Sequence, residues 1–84
     1  MKTKEQKIDE IVTVMKTLIA TAVDFEHSAM LKNRIKYLHD LSEKQVDEML
    51  DIATKKHISH FDKIELIFQA FADFGLPGAY SKKD

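Results

Sequence analysis

The chain has 84 residues, of which 44% are hydrophobic and 32% charged, and its formal net charge is −1 at pH 7. This length suffices for one domain, and the apolar share is typical of a globular chain rather than a disordered one. The charge balance excludes a whole-chain basic surface for nucleic acid, and the lack of cysteine excludes disulfide bonds and thiol chemistry.

The N-terminal region has the features of neither a signal peptide nor a membrane span. Its basic residues are accompanied by Glu5, Asp9 and Glu10, and the apolar stretch that follows is interrupted by Lys16 and Thr17. Signal peptides and spanning helices both need a longer uninterrupted apolar run. Together with the lack of cysteine, this pattern favours a cytoplasmic protein with no membrane association.

The first predicted helix is very apolar for so small a protein. Large hydrophobic residues recur at helical spacing from Ile8 to Val23 and cover roughly half of the helix circumference. A helix on a core needs a stripe only somewhat wider than about 100°. The apolar residues beyond this width are Val14 and Leu18 on one edge of the stripe and Val12 and Val23 on the other. Either this helix has a second partner, or it is the central helix of a bundle with neighbours on both sides.

Three further helices are predicted from caps and apolar spacing. Asp24, Ser42 and Ser59 are candidate N-caps of helices 2, 3 and 4, and Thr3 with Gln6 has the capping-box spacing for helix 1. The residues expected to face the core are Leu31, Ile35, Leu38 and Leu41 in helix 2, Val46, Met49, Leu50 and Ala53 in helix 3, and Phe61, Ile64, Ile67, Phe68, Phe71 and Phe74 in helix 4.

Glycine and proline occur only between Gly75 and Gly78. Gly75 is suited to the left-handed position that ends helix 4, with Leu76 folding back and Pro77 preventing continuation. We therefore predict an all-α protein, a compact bundle of four to five short helices, with room for a helix-turn-helix-like pair. A single helical domain is expected over residues 1–78 and a flexible polar tail over 79–84.

The segment from Met49 to Phe68 allows an alternative function, that of a small helix-turn-helix DNA-binding protein. The residues that would then face phosphates are Lys55, Lys56, His57, His60 and Lys63. His57, however, stands where the turn usually has glycine, and Lys63 stands where the second helix usually has an apolar residue. A solvated basic loop without direct nucleic-acid binding fits the pattern better.

The sequence indicates no site for catalysis or metal binding. His57 and His60 are three residues apart but have no matching second pair, whereas zinc needs three or four protein ligands. The carboxylates fall mostly at caps and outward faces, and no phosphate-binding, dinucleotide-binding or nucleophile motif is present. We therefore expect no enzyme activity, no cofactor and no metal, and a function in protein binding.

Two segments carry a resemblance to a known family. The run Ile8-x-Glu10-Ile11-Val12-Thr13-Val14, followed by Leu18-Ile19, resembles the opening helix of the AsiA-type anti-sigma factors of T-even phages. The run Ile35-x-Tyr37-Leu38-x-Asp40-Leu41 resembles their second helix, and in the second half only Ile67-Phe68-x-x-Phe71 is similar. The resemblance covers about the first half of the chain.

This resemblance implies a regulator that binds the bacterial primary sigma factor and thereby inhibits or redirects RNA polymerase. In that family the first helix forms a homodimer, and the same face is then exchanged for the sigma domain that reads the −35 promoter element. The partner-binding residues implied are Glu10, Ile11, Val14, Leu18 and Ile19, supported by Ile35, Tyr37 and Leu38 in helix 2. We add Lys32, Arg34 and Lys36 as rim charges that would steer a partner. A homodimeric helical adaptor without a sigma partner is a third interpretation.

Overall fold

Four α-helices and one short 3-10 helix make up the fold. The α-helices are α1 Lys4–Thr21, α2 Phe25–Ile35, α3 Glu43–Ala53 and α4 His60–Phe74, and the 3-10 helix is Leu38–Asp40. The computed structural model describes residues 1–22 and 24–75, and these residues form no strand. The predicted all-α bundle of four to five short helices is confirmed.

The predicted N-caps are also confirmed. The side chains of Thr3, Asp24, Ser42 and Ser59 each accept a hydrogen bond from the backbone N–H three residues further along the chain. Thr3 and Ser42 form complete capping boxes, because a glutamine side chain returns a bond to the cap backbone. These bonds satisfy N–H groups that the first turn of a helix leaves unpaired.

Gly75 ends α4 in the left-handed conformation, with φ +69°, as its position predicts. The expected contacts of Leu76 and Pro77, and the expected flexible tail over 79–84, lie outside the described residues. Val23, one of the surplus apolar residues of the first helix, also lies outside them.

Helix 2 is shorter than the apolar pattern predicts. α2 ends at Ile35, and Leu38 and Leu41 belong to the 3-10 helix and to the residue after it. Both leucines are nevertheless buried, because side chains three residues apart are eclipsed in a 3-10 helix and so point the same way. The pattern identified the core residues correctly but assigned them to the wrong element.

The central helix of the bundle is α1, which contacts the other three α-helices. Its fully buried side chains are Ile8, Ile11, Met15 and Leu18. Each such side chain stabilises the fold by about 1.5–3 kcal/mol relative to leaving it in water. The wide apolar arc of the first helix is therefore largely explained by neighbours within the bundle.

One phenylalanine expected in the core is instead largely exposed. Phe68 and Phe71 are buried, but Phe61 is 51% exposed. Phe61 lies on the same side of α4 as Phe68, two turns earlier, and so reaches the end of the bundle. There the His27 ring, whose centroid is 5.9 Å away in an edge-on geometry, covers only part of it.

Candidate protein-binding surface

The predicted partner-binding residues divide between the core and the accessible surface. Ile11, Leu18 and Leu38 are at most 1% exposed, so they cannot reach a partner in this structure. The prediction for these three is corrected, because the side of α1 that carries them packs against the other helices. The half-buried members of the set are Glu10, Val14, Ile19, Ile35 and Tyr37.

Glu10 and Val14 lie one turn apart on the same edge of α1. Thr17 and Thr21 continue this edge, because residues three and four apart are neighbours on a helix. Both threonines are exposed, whereas Glu10 and Val14 are half-buried. We call these four residues the α1 edge.

Hydroxyl groups on the α1 edge are bonded back to the helix. Thr17 Oγ1 donates to the carbonyl of Thr13 at 3.2 Å, and Thr21 Oγ1 donates to the carbonyl of Thr17 at 3.1 Å. Threonine commonly makes this bond to the preceding turn. The methyl groups are the unbonded part of these side chains, so the edge is more apolar than its composition indicates.

Polar groups mark the two ends of the α1 edge. The carboxylate of Glu10 forms an ion pair with Lys2, and Thr21 Oγ1 lies 3.2 Å from Nδ1 of His60 at the start of α4. Exposed ion pairs contribute about 1 kcal/mol or less, so Glu10 can exchange Lys2 for a cation on a partner at little cost.

Ile19 lies on a different side of α1 from Val14. Residues five apart on a helix are separated by about 140°, and Ser28 of α2 donates to the carbonyl of Ile19 at 3.5 Å. Ile19 thus borders α2, and Ile35 and Tyr37 pack against the core with it. The accessible predicted residues therefore do not form one continuous face.

The predicted rim charges are only partly at the surface. Lys32 and Lys36 are exposed, but Arg34 is 2% exposed, which corrects its assignment as a rim charge. Residues two apart on a helix point about 200° apart, so Arg34 faces inward when its neighbours face outward. Its guanidinium lies 5.1 Å from the centroid of Phe68, and Nη1 donates to the carbonyl of Met30 at 3.5 Å. The weakly hydrated guanidinium suits such stacking.

The lysines of the DNA-binding alternative do not line one exposed helix. Lys63 Nζ donates to the carbonyl of Ala53 at 3.1 Å, where it satisfies an unpaired carbonyl at the negative end of the α3 dipole. Lys55 follows the end of α3 by two residues, and its Nζ lies 3.8 Å from Asp51 of that helix. Within the described ranges 1–22 and 24–75, Lys56 has no side-chain bond or ion pair of this kind.

The turn between α3 and α4 has a backbone conformation that favours glycine. His57 has φ +68°, in the left-handed region, at the position where sequence analysis noted that a helix-turn-helix usually has glycine. A non-glycine residue at positive φ is uncommon. This φ is one that glycine adopts without strain, although the residue is histidine.

Two contacts between helices were missed by sequence analysis. Nδ1 of His27 in α2 lies 3.0 Å from Asp24, and its Nε2 lies 3.8 Å from Glu65 of α4. The His27 ring also contacts the rings of Phe61 and Phe68. The spacing of Asp24 and His27 was visible as a cap, but nothing in the sequence pattern indicated the contacts with α4.

The second missed contact joins α1 to α3. Lys7 Nζ lies 2.7 Å from Asp47 and 3.5 Å from Glu43. The hydrogen bond that Lys7 donates to Asp47 raises the pKa of Lys7 above the ordinary lysine value, and the charges of both carboxylates add to this effect, although desolvation opposes it. A separation of 40 residues leaves no local signal of this pair.

Comparison with known proteins supplies no function by similarity. The chain matches no protein-family model, no curated protein and no solved structure. Within residues 1–22 and 24–75, no three His, Cys, Asp or Glu side chains are grouped so as to hold a metal ion. In the same ranges, none of the helices combines the length and apolarity required to cross a membrane.

Proposed function

We propose that this protein regulates transcription by binding the domain of a bacterial primary sigma factor that reads the −35 promoter element. The α1 edge is the proposed contact. The observation that carries the proposal is the position of Glu10 and Val14, two residues to which the family resemblance assigns partner binding. They lie side by side on an accessible edge of the central helix.

The α1 edge has the chemistry of a helix–helix contact. Val14 and the methyl groups of Thr17 and Thr21 form an apolar row, and Glu10 places one carboxylate at its end. A partner helix with small apolar residues and one cation would complement this row. Without that partner, pairing with a second copy would cover the same row, so we propose a homodimer in the free protein.

Binding of this kind acts on RNA polymerase through sigma. A sigma domain held by the α1 edge no longer reads ordinary −35 elements, so polymerase is inhibited or redirected to other promoters. The protein then works in the bacterial cytoplasm, where the polymerase is found, and needs neither cofactor nor catalysis.

The DNA-binding alternative gains no support from α4, the helix that would read the bases. Its exposed charged residues include Asp62, Glu65 and Asp73, which repel DNA phosphates. The adaptor without a sigma partner stays an outcome of the experiment.

The direct experiment is size-exclusion chromatography with light scattering, on the protein alone and mixed with the sigma domain. We expect a homodimer that converts to a one-to-one complex. Thr17→Arg places a long cation on the α1 edge and should abolish both associations. Ala29→Arg adds the same side chain at an exposed position of α2 and should leave both intact.

Circular dichroism of both variants checks that they are folded. A wild-type protein that ignores the sigma domain rejects the proposal. A Thr17→Arg variant that binds as well as Ala29→Arg shows that the α1 edge is not the contact.

A further inference from the structure

The outward side of α4 carries charges of one sign. Asp62, Glu65 and Asp73 are exposed, whereas Lys63, the one lysine of this helix, donates to the carbonyl of Ala53. In the part of the chain that the structure describes, no Lys or Arg nitrogen lies within 4.0 Å of these three carboxylates. Nε2 of the His27 imidazole lies 3.8 Å from the carboxylate of Glu65.

The acidic residues of α3 are arranged differently. Glu43 and Asp47 share Lys7, and Asp51 lies beside Lys55. Three of the carboxylates on α3 thus have a lysine partner, whereas among residues 1–22 and 24–75 no lysine or arginine pairs with those on α4. The difference concerns ion pairing and not merely the number of acidic residues.

Exposed apolar side chains border the acidic residues of α4. Phe61 is 51% exposed and Leu66 is 38% exposed. Because successive helix residues are about 100° apart, these two side chains lie at the opposite margins of an arc that covers about 140° of the circumference of α4. We call this arc, formed by Phe61, Asp62, Glu65, Leu66, Gln69 and Asp73, the α4 outer face. An acidic centre with apolar margins is the complement of a helix with a basic row and apolar flanks.

We propose that the α4 outer face docks a basic helix of a partner protein, one whose lysines and arginines otherwise contact DNA phosphates. This inference rests on the proposed function, because a domain that reads a promoter element holds DNA through such side chains. The α1 edge then supplies the apolar anchor, and α4 occupies the charged surface that DNA requires. Protein and promoter DNA consequently compete for one surface of the partner.

The test measures binding of the full chain to a fluorescent sigma domain at salt concentrations from about 50 to 300 mM. The variant Glu65→Gln with Asp73→Asn removes two carboxylates from the α4 outer face and keeps the side-chain shapes. The matched control, Glu26→Gln with Glu48→Gln, removes two exposed carboxylates from α2 and α3. Both variants change the net charge equally.

We expect the α4 variant to bind about fivefold more weakly at low salt, as for two surface ion pairs, and to show a weaker salt dependence. The control should change affinity less than twofold. Duplex DNA containing a −35 element should displace the wild-type protein from the sigma domain. Equal weakening by both variants would reveal only a long-range charge effect and overturn the inference.

The remaining outcomes separate the two proposals. If the α4 variant loses self-association but binds sigma normally, a second copy occupies the α4 outer face and the inference is wrong. If the wild-type protein does not bind sigma, the proposed function fails, and a synthetic amphipathic helix of lysine and leucine replaces the sigma domain as probe. Selective loss of binding of that peptide by the α4 variant then supports the docking surface, and equal binding by both variants rejects it.

Discussion

Replacing His57 with glycine should stabilise the protein. His57 has φ +68°, and its side chain is exposed, so the substitution removes little packing. An L-residue in the left-handed region costs about 1–2 kcal/mol, which glycine does not incur. Glycine also gives the unfolded chain more freedom, which costs about 0.4–1 kcal/mol. The net expectation for His57→Gly is a gain of about 0.5–1 kcal/mol in the free energy of unfolding.

Gly75 provides the reciprocal experiment at nearly the same backbone angle. It has φ +69°, and a Cβ built there meets no atom within 4 Å. Gly75→Ala therefore introduces backbone strain without a clash, and we expect a loss of about 0.5–1 kcal/mol. The two substitutions should shift stability by similar amounts in opposite directions.

Urea unfolding, monitored by circular dichroism, measures both effects. The change in stability is obtained from the shift of the urea midpoint, provided that the dependence of the unfolding free energy on urea concentration is unchanged. For a domain of this size, 1 kcal/mol corresponds to about 4–8 °C in the melting temperature, so His57→Gly should raise it by about 2–8 °C. His57→Ala is the control, because it removes the imidazole but keeps the Cβ. If His57→Gly is no more stable than His57→Ala, the reasoning from backbone strain is refuted.

Three further substitutions test the packing and ion pairs of the bundle. Leu18→Ala should cost about 2–5 kcal/mol in urea unfolding, because it leaves a cavity in the core; a cost under about 1 kcal/mol would contradict the burial of this residue. Lys63→Met keeps the apolar stem but loses the hydrogen bond to the carbonyl of Ala53, so we expect the free energy of unfolding to fall by about 1 kcal/mol. An unchanged free energy of unfolding would show that this bond does not stabilise the fold. Lys7→Met should destabilise the protein at pH 8. Because Asp47 raises the pKa of Lys7 above its usual value near 10.5, the charged lysine stabilises the fold below that pH, and the stabilisation is lost as the pH rises through the raised pKa. Wild type and variant should therefore converge at strongly alkaline pH in unfolding experiments, and a constant difference would count against the ion pair.

Helix starts could be predicted because their determinants are local. The caps at Thr3, Asp24, Ser42 and Ser59 act on an N–H group three residues away, so a short window of sequence contains both partners. The end of α2 was less predictable, because a 3-10 helix and a continued α-helix would both place Leu38 and Leu41 in the core.

The surface could not be predicted with the same success, because exposure depends on distant elements. Helical spacing placed Phe61 with Phe68, but only the fold determines how far α2 extends over them. Lys63 lies ten residues from the carbonyl it binds, in another helix. Leu18 was assigned to a partner surface because the arc of α1 was wider than one neighbour needs, and three neighbours account for most of that width.

The central position of α1 has a consequence for synthesis of the chain. Lys7 meets Asp47, and Thr21 meets His60, so α1 contacts residues that are synthesised about 40 positions later. A nascent chain that ends before α3 can cover only the side of α1 that faces α2. The rest of its apolar arc stays in water until α3 and α4 emerge, and loop closures of this length slow folding relative to local hairpins. During that interval the nascent chain is exposed to chaperones and to aggregation.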